Sequence, residues 1–354
     1  MIQVDLHNQG PVLYPRQLLQ VVADSVGQRM PASDILRQVN NLTWAWEASG
    51  KFTEYRHAWE ASQVNVVCAS IGCFSDSLHR LAAIKEDYAA LSVAAMRGEY
   101  IQVVRDYRAC IDSIRSRRRG VILQVENPDF MTSPRDIRSL VDSHVHIVGL
   151  AYDYGSPLAG GCRARTTDGL SQLGKAVIRE ANSAHVAIDL SHCSEWAGFE
   201  AIDSALFPIC THSFLSELNP HPRAKSLRFF RALAQRGGVV GVLIHPELIA
   251  PPGKATDSLS LFANHVCRLC ETVGSSHVAV GTDWAGNMPI EVRRILRGTT
   301  TQGSVEWEQN IPNYQGIGDW PNIVTALRHA GVSDADVKNV CSGAFLRWYR
   351  TLWE

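Results

Sequence analysis

One recurrence constrains this chain more than any other feature. Short, mostly apolar runs of the kind expected for strands buried on both faces occur at Gln3 to His7, Val64 to Ile71, Val121 to Val125 and His146 to Ala151. Four more follow at Val186 to Leu190, Phe207 to Thr211, Val239 to Ile244 and Val278 to Gly281. Segments with helical spacing lie between them, at Leu170 to Ala184, Ser194 to Leu206, Ala224 to Arg236 and Leu259 to Val273. Strands alternating with helices imply a parallel sheet. Eight such units predict an α/β fold, a (β/α)8 TIM-type barrel. The stretch from Ser75 to Arg119 is longer than one crossover needs, and the spacing of Leu81, Ala82, Tyr88, Leu91, Ala94, Ala95, Val103 and Val104 predicts two inserted helices within it. A helical segment at about 334–353 follows the last strand. No Pro/Gly/Ser linker and no shift in composition divides the chain, so residues 1–354 read as a single barrel domain.

Composition excludes several function classes. With 34 Lys+Arg against 35 Asp+Glu and 45% hydrophobic residues, the chain is neither disordered nor fibrous. A formal charge of −1 gives no reason to expect a nucleic-acid partner. The one basic cluster, Arg115, Arg117, Arg118 and Arg119, reads as a solvated turn ahead of a strand. No window approaches the ~20 apolar residues of a membrane span, and the start lacks the basic and apolar regions of a secretory leader, so a cytoplasmic protein without membrane association is expected. Nine cysteines, an odd number set mostly in apolar segments, are expected to be reduced and buried. Cys267 and Cys270 form a lone CxxC inside a helical pattern, with no second pair to complete a zinc site, and read as structural.

In a (β/α)8 barrel the active site lies at the carboxyl ends of the strands. The first run ends at His7 and Gln9, the third at Glu126, the fifth at His192, the sixth at His212 and the eighth at Asp283. A lone histidine beside an apolar segment is more often a hydrogen-bonded core or rim residue. Five metal-competent residues on five strand ends point instead to one central funnel. Imidazoles with carboxylates suit zinc, and a carboxylate can bridge two ions in a two-metal hydrolase. His57, His79, His265 and His329 fall in helical stretches, and His144, His185 and His277 at strand beginnings; these read as structural.

These residues resemble the membrane (renal) dipeptidases, zinc peptidases of family M19 within the amidohydrolase-like barrels, from residue 5 to about 350. Asp5-Leu6-His7-Asn8-Gln9 is similar to the family's opening D-G-H-N-D strand, and Gln124-Val125-Glu126 to the strand carrying its metal-bridging glutamate. Gly169-Leu170-Ser171-Gln172-Leu173-Gly174 leading to Ile188-Asp189-Leu190-Ser191-His192-Cys193-Ser194 resembles G-L-T-x-x-G through I-D-L-S-H-x-S. Pro208-Ile209-Cys210-Thr211-His212-Ser213 with His221-Pro222-Arg223 resembles P-x-x-x-S-H-S with H-P-R-N, and His277 to Trp284 resembles H-V-x-x-G-x-D-F. The resemblance implies that His7 binds one zinc, that Glu126 bridges two, and that His192 and His212 hold the other. Asp283 would orient the attacking water and shuttle its proton. Arg223 would clamp the carboxylate of the substrate's C-terminal residue, a task suited to a planar bidentate donor. The family also tends to form homodimers.

Two departures shift what the resemblance implies. Gln9 stands where the family has an aspartate ligand, so one ligand charge is lost and the His7 side should hold metal more weakly: one tight zinc, with a second site weak or empty. Tyr152 stands where a histidine normally polarises the scissile carbonyl, and Asp153 beside it is a second polar candidate for substrate contact. A phenol can still donate a hydrogen bond to an oxyanion. The reading is a zinc-dependent, dipeptidase-like hydrolase acting on a dipeptide or amino-acid-conjugated small molecule with a free carboxylate. The alternatives are a mononuclear-metal enzyme performing a non-peptidase step on an amino-acid-derived metabolite, and a non-catalytic binding barrel.

Overall fold

The computed structural model describes residues 1–8, 15–48, 51, 53–73, 75, 77–97, 101–165, 168–249, 258–283, 289, 292, 295 and 311–354. All eight expected strands are present: β1 Val4–Asn8, β2 Val66–Ser70, β4 Arg119–Val125, β5 Val145–Gly149, β6 Ala187–Asp189, β7 Pro208–Ser213, β8 Val239–Val242 and β9 Val278–Val280. They pair in parallel in the order β1-β2-β4-β5-β6-β7-β8-β9. β1 and β9 meet through the Asp283 N–H, which donates to the His7 carbonyl at 3.1 Å, so the barrel is nearly closed. One cluster draws on every strand of that path, through Val4, Val66, Ile122, Ile147, Ala187, Ile209, Val239 and Ala279. Phe345, Trp348 and Tyr349 of the C-terminal helix Ala344–Thr351, with Leu352 just after it, join the same cluster and close the amino-terminal end of the barrel.

Local chemistry places the crossovers. Ser171, Ser194 and Ser226 each accept a hydrogen bond from the backbone N–H three residues on, at Gly174, Ala197 and Phe229, and so start the helices Gln172–Ser183, Glu195–Ser204 and Leu227–Gln235. Ser194 lies two residues beyond His192, which leaves the loop carrying that histidine almost no slack. Between β1 and β2 stand three further helices, Arg16–Gly27, Ala32–Ala48 and Thr53–Ser62.

The insertion before β4 holds two helices, Arg80–Arg97 and Tyr107–Arg115, but Val103, expected to be helical, lies instead in a strand, β3 Ile101–Val103, which pairs in parallel with β4 off the barrel path, and the second helix begins beyond the residues whose spacing suggested it. Three residues are too few for periodicity to separate a strand from a helix. The basic cluster also departs from expectation at one position. Arg115 and Arg117 are exposed, whereas Arg119 is 8% exposed, opens β4 and places its guanidinium 3.3 Å from the Trp59 ring centroid. The expected terminal helix runs continuously from Asp334 to Thr351 through a π-turn at Asn339–Gly343. No helix among the described residues is long and apolar enough to cross a membrane.

Candidate metal centre and active site

Five side chains converge at the carboxyl end of the barrel. His7 is the penultimate residue of β1, Glu126 follows β4, His192 follows β6, His212 lies in β7 and Asp283 follows β9. Glu126 Oε1 stands 2.8 Å from His192 Nε2, 3.3 Å from His212 Nε2 and 3.8 Å from His7 Nε2. The His192 and His212 Nε2 atoms are 3.0 Å apart. Asp283 reaches in from the other side, its Oδ1 3.6 Å from His7 Nε2 and its Oδ2 3.9 Å from His212 Nε2. Asp283 is held at φ 50°, in the left-handed region that aspartate tolerates better than most residues. Gln9 lies outside the described residues.

A second layer aims the first. His192 Nδ1 meets Asp153 Oδ1 at 2.7 Å, and the carbonyls on and around it are all gripped. Arg223 Nη1 donates to Ser191 O at 3.0 Å, the Cys162 N–H to His192 O at 2.7 Å, and the buried Lys225 Nζ to Cys193 O at 2.7 Å. The Tyr152 ring stacks on the His192 ring, centroids 4.4 Å apart and 19° between planes. The two candidates that sequence left open at positions 152 and 153 are thus both at the site, but Asp153 turns its carboxylate to the back of His192. There it also meets Arg163 Nε at 3.2 Å and Arg223 Nε at 3.9 Å. Arg223 itself is only 4% exposed.

Gly241 and Gly281 bring β8 and the end of β9 against β7. A Cβ at either would strike the Thr211 carbonyl, at 2.0 and 1.8 Å, so only glycine lets these strands close around the residue before His212.

Electrostatics follow from this enclosure. Burial works against charge on Glu126, yet hydrogen bonding and the charge of His192, with His212 and His7 beyond, hold its carboxyl well below the ordinary range. Burial and Arg223 oppose protonation of His192, but its bonds to Asp153 and Glu126 outweigh them and raise it. Burial lowers His212 to about 3 and holds His7 well below its ordinary value. Burial, with Glu126, Asp153 and Asp283 nearby, pushes the Tyr152 phenol well up, which keeps it a hydrogen-bond donor.

The donor set fits a zinc-type metal. Donor atoms around one tetrahedral zinc, bound at roughly 2.0–2.1 Å, lie about 3.3–3.4 Å apart. The three separations among Glu126, His192 and His212 are 2.8, 3.0 and 3.3 Å, so a few tenths of an ångström of outward movement would meet that spacing. A second grouping, His7, Glu126 and His212, has all its donor atoms within 4.8 Å of one another and shares Glu126 and His212 with the first. Sequence reading had not placed His212 in both. Cys267 and Cys270 belong to neither grouping.

Several site residues escaped sequence reading. Gln124 Nε2 lies 2.7 Å from His7 Nδ1, and the buried Gln124 Oε1 has no partner among the described residues. With the amide turned over, Oε1 accepts from the ring Nδ1–H, and His7 Nε2, on the side of Glu126 and Asp283, keeps its lone pair for a metal. Lys225 follows two residues after Arg223, a position with no motif signal. His245 follows β8, is buried, and is lowered to about 4 by burial, then by Arg223 and His221. The strand-end rule that selected His192 selects it equally.

The membrane dipeptidase family model, peptidase family M19, matches residues 21–293 of this chain. The chain belongs to that family. The match begins after β1, so His7 lies outside it and Glu126, His192, His212, Arg223 and Asp283 within. Among curated relatives, dipeptidase tcpJ of Claviceps purpurea is 28% identical over 184 residues, 51% of this chain and 38% of that protein. An uncharacterized protein in the pqqA 5′ region of Klebsiella pneumoniae is 30% identical over 230 residues, 62% of this chain and 77% of that protein. The chain thus aligns with well under half of the first of these. Among solved structures, an amidohydrolase of Pseudomonas aeruginosa superposes with TM-score 0.74 at 20% identity, covering 84% of this chain and 93% of that one. A metallopeptidase of Rhodobacter sphaeroides, liganded with a phosphinate mimic of L-Ala-D-Ala, superposes with TM-score 0.70 at 14% identity, covering 100% and 99%. At these identities the likeness to solved structures is one of fold.

Proposed function

We propose that this member of the membrane dipeptidase family is a zinc-dependent hydrolase. Its substrate is a dipeptide or an amino-acid-conjugated small molecule with a free carboxylate. The observation that carries the reading is the convergence of three imidazoles on Glu126 at one barrel mouth, each Nε2 2.8 to 3.8 Å from Glu126 Oε1, beside the carboxylate of Asp283. Glu126, His192 and His212 hold the tighter ion, and His7 with Glu126 the weaker one. When bound, zinc supplies a Lewis acid that polarises a carbonyl and acidifies water.

The chain's own residues do the rest. Arg223 receives the substrate carboxylate, and its buried position removes the water that would compete for it. Asp283 accepts a proton from the attacking water and passes it to the leaving amine as the C–N bond breaks. Tyr152, held protonated by its surroundings, donates to the developing oxyanion. His192 stays aimed because Asp153, Cys162, Arg223 and Lys225 grip it and its neighbours. Gln9 and Tyr152 favour one second reading, a mononuclear enzyme acting on an amino-acid-derived metabolite without peptide hydrolysis. A panel of L,L and L,D dipeptides with free or amidated carboxylates separates the two, assayed by amine release with zinc-loaded protein. Slow cleavage confined to free carboxylates is expected, and no cleavage with zinc bound would overturn the hydrolase reading.

A further inference from the structure

Beneath the metal layer lies a buried carboxylate with an unequal division of labour between its two oxygens. Asp189 Oδ1 accepts from the Ser191 N–H at 3.0 Å, the Ser191 hydroxyl at 2.6 Å and the Thr211 N–H at 3.0 Å. Asp189 Oδ2 takes one bond among the described residues, from the Thr211 hydroxyl at 2.6 Å. The same Thr211 Oγ1 stands 2.8 Å from His212 Nδ1, its remaining neighbours Ser191 Oγ and His7 Nδ1 both being at 3.4 Å. Asp189 and Thr211 are 5% and 0% exposed, so water does not complete these bonds.

Hydrogen-bond direction follows from counting protons. A threonine hydroxyl has one, and a carboxylate can only accept. The Thr211 proton therefore goes to Asp189 Oδ2, which leaves Thr211 Oγ1 as the acceptor for a proton on His212 Nδ1. The neutral ring carries one proton, so its Nε2 keeps the lone pair, and Nε2 is the atom facing Glu126 at 3.3 Å. We infer that Asp189 and Thr211 are positioning residues that select the His212 tautomer able to bind metal through Nε2. The close packing of Gly241 and Gly281 on the Thr211 carbonyl holds the relay in register. The inference rests on His212 being a metal ligand, as proposed above, but not on hydrolysis.

Asp189→Asn is the decisive variant. The asparagine Oδ1 can keep all three bonds now made to Asp189 Oδ1, while its Nδ2 replaces Oδ2 and donates to Thr211. The Thr211 proton then turns to His212 Nδ1 and drives the ring to the Nε2–H tautomer, with shape preserved and polarity reversed. Long-range proton–nitrogen correlation on metal-free protein with labelled histidine reads the tautomer directly, His212 being assigned with a His212→Gln variant. Competition with a chromogenic chelator reads zinc affinity. Wild type should show Nδ1–H at His212. Asp189→Asn should show Nε2–H and bind zinc about 10- to 100-fold more weakly, the usual cost of losing a partner of a metal-bound histidine. Thr211→Val should give mixed tautomers with a smaller loss, and Thr211→Ser should match wild type. An unchanged tautomer or zinc affinity within twofold in Asp189→Asn would overturn the inference. Should that variant not fold, the threonine pair decides, and Thr211→Ser behaving as Thr211→Val would overturn it. Expected tautomers and zinc ranking without dipeptide cleavage would remove the hydrolase reading and leave this one standing.

Discussion

Asp153→Asn is the most informative perturbation of the site, because the structure moves this residue from substrate contact to the support of His192. Its carboxylate lies 2.7 Å from His192 Nδ1 and 3.9 Å from Arg223 Nε, with 7% of its surface exposed. Two unit charges at that distance interact by about 4 kcal/mol at an effective dielectric of 20, an upper bound on what the pair contributes. Removing one partner of a buried pair costs about 3–5 kcal/mol, because the other is left buried without its counter-charge. Asparagine keeps the shape and an oxygen for the imidazole while deleting the charge. Unfolding of the metal-free variant in urea should show a loss of about 2–4 kcal/mol, discounted for Arg223's remaining bond to Ser191 O. Zinc affinity, read by chelator competition, should fall about 10- to 100-fold, equivalent to about 1.4–2.8 kcal/mol. A variant with zinc affinity within twofold of wild type and unchanged stability would refute the reasoning and return Asp153 to the list of residues free to meet substrate.

Three further outcomes are expected. Asp283→Asn should abolish turnover while zinc content stays at the wild-type level, since Asp283 acts on the proton and lies outside the set of Glu126, His192 and His212; zinc lost in parallel with rate would contradict that. Arg223→Lys should raise KM for substrates ending in a free carboxylate, as amidating that carboxylate should for wild type, because an ammonium cannot make two parallel hydrogen bonds; free and amidated substrates turned over equally well by wild type would refute the clamp. At the opposite end of the barrel, burial lowers His146 to about 3, and its Nδ1 meets the Tyr349 hydroxyl at 2.8 Å. Its folded value lies below the unfolded 6.5, so its stability contribution is complete above pH 6.5 and falls as pH drops toward 3. Urea unfolding of a His146→Gln variant should therefore lose less stability than wild type across that window, and parallel pH profiles would contradict the assignment.

The barrel was legible because its signal is repeated. Each of the eight apolar runs is weak alone, but their alternation with helices and the ionisable residue at each strand end reinforce one another. Glu126, His192, His212 and Asp283, singled out by that rule without any distance information, come together at one end of the barrel. What escaped lay outside that repeated pattern. β3 is three residues long, and the helices Arg16–Gly27, Ala32–Ala48 and Thr53–Ser62 between β1 and β2 stand apart from the strand-then-helix alternation. Asp153, Lys225 and Gln124 act through directions that spacing does not encode: which way a carboxylate turns, which carbonyl an ammonium reaches, which end of an amide meets a ring. His212 entered only one metal grouping in the sequence reading because strand order says nothing about how far an imidazole projects across the funnel.

The central claim is that Glu126, His192 and His212 hold a catalytic metal, and elemental analysis of gel-filtered protein tests it most directly. Wild type should carry about one zinc per chain after dialysis against a chelator and take up a second only at high zinc. A His192→Ala, His212→Ala double variant should carry none, and Gln9→Asp should tighten the second ion. Two ions surviving dialysis in wild type would contradict the weakened His7 side, and zinc bound equally well by the double variant would contradict the site itself.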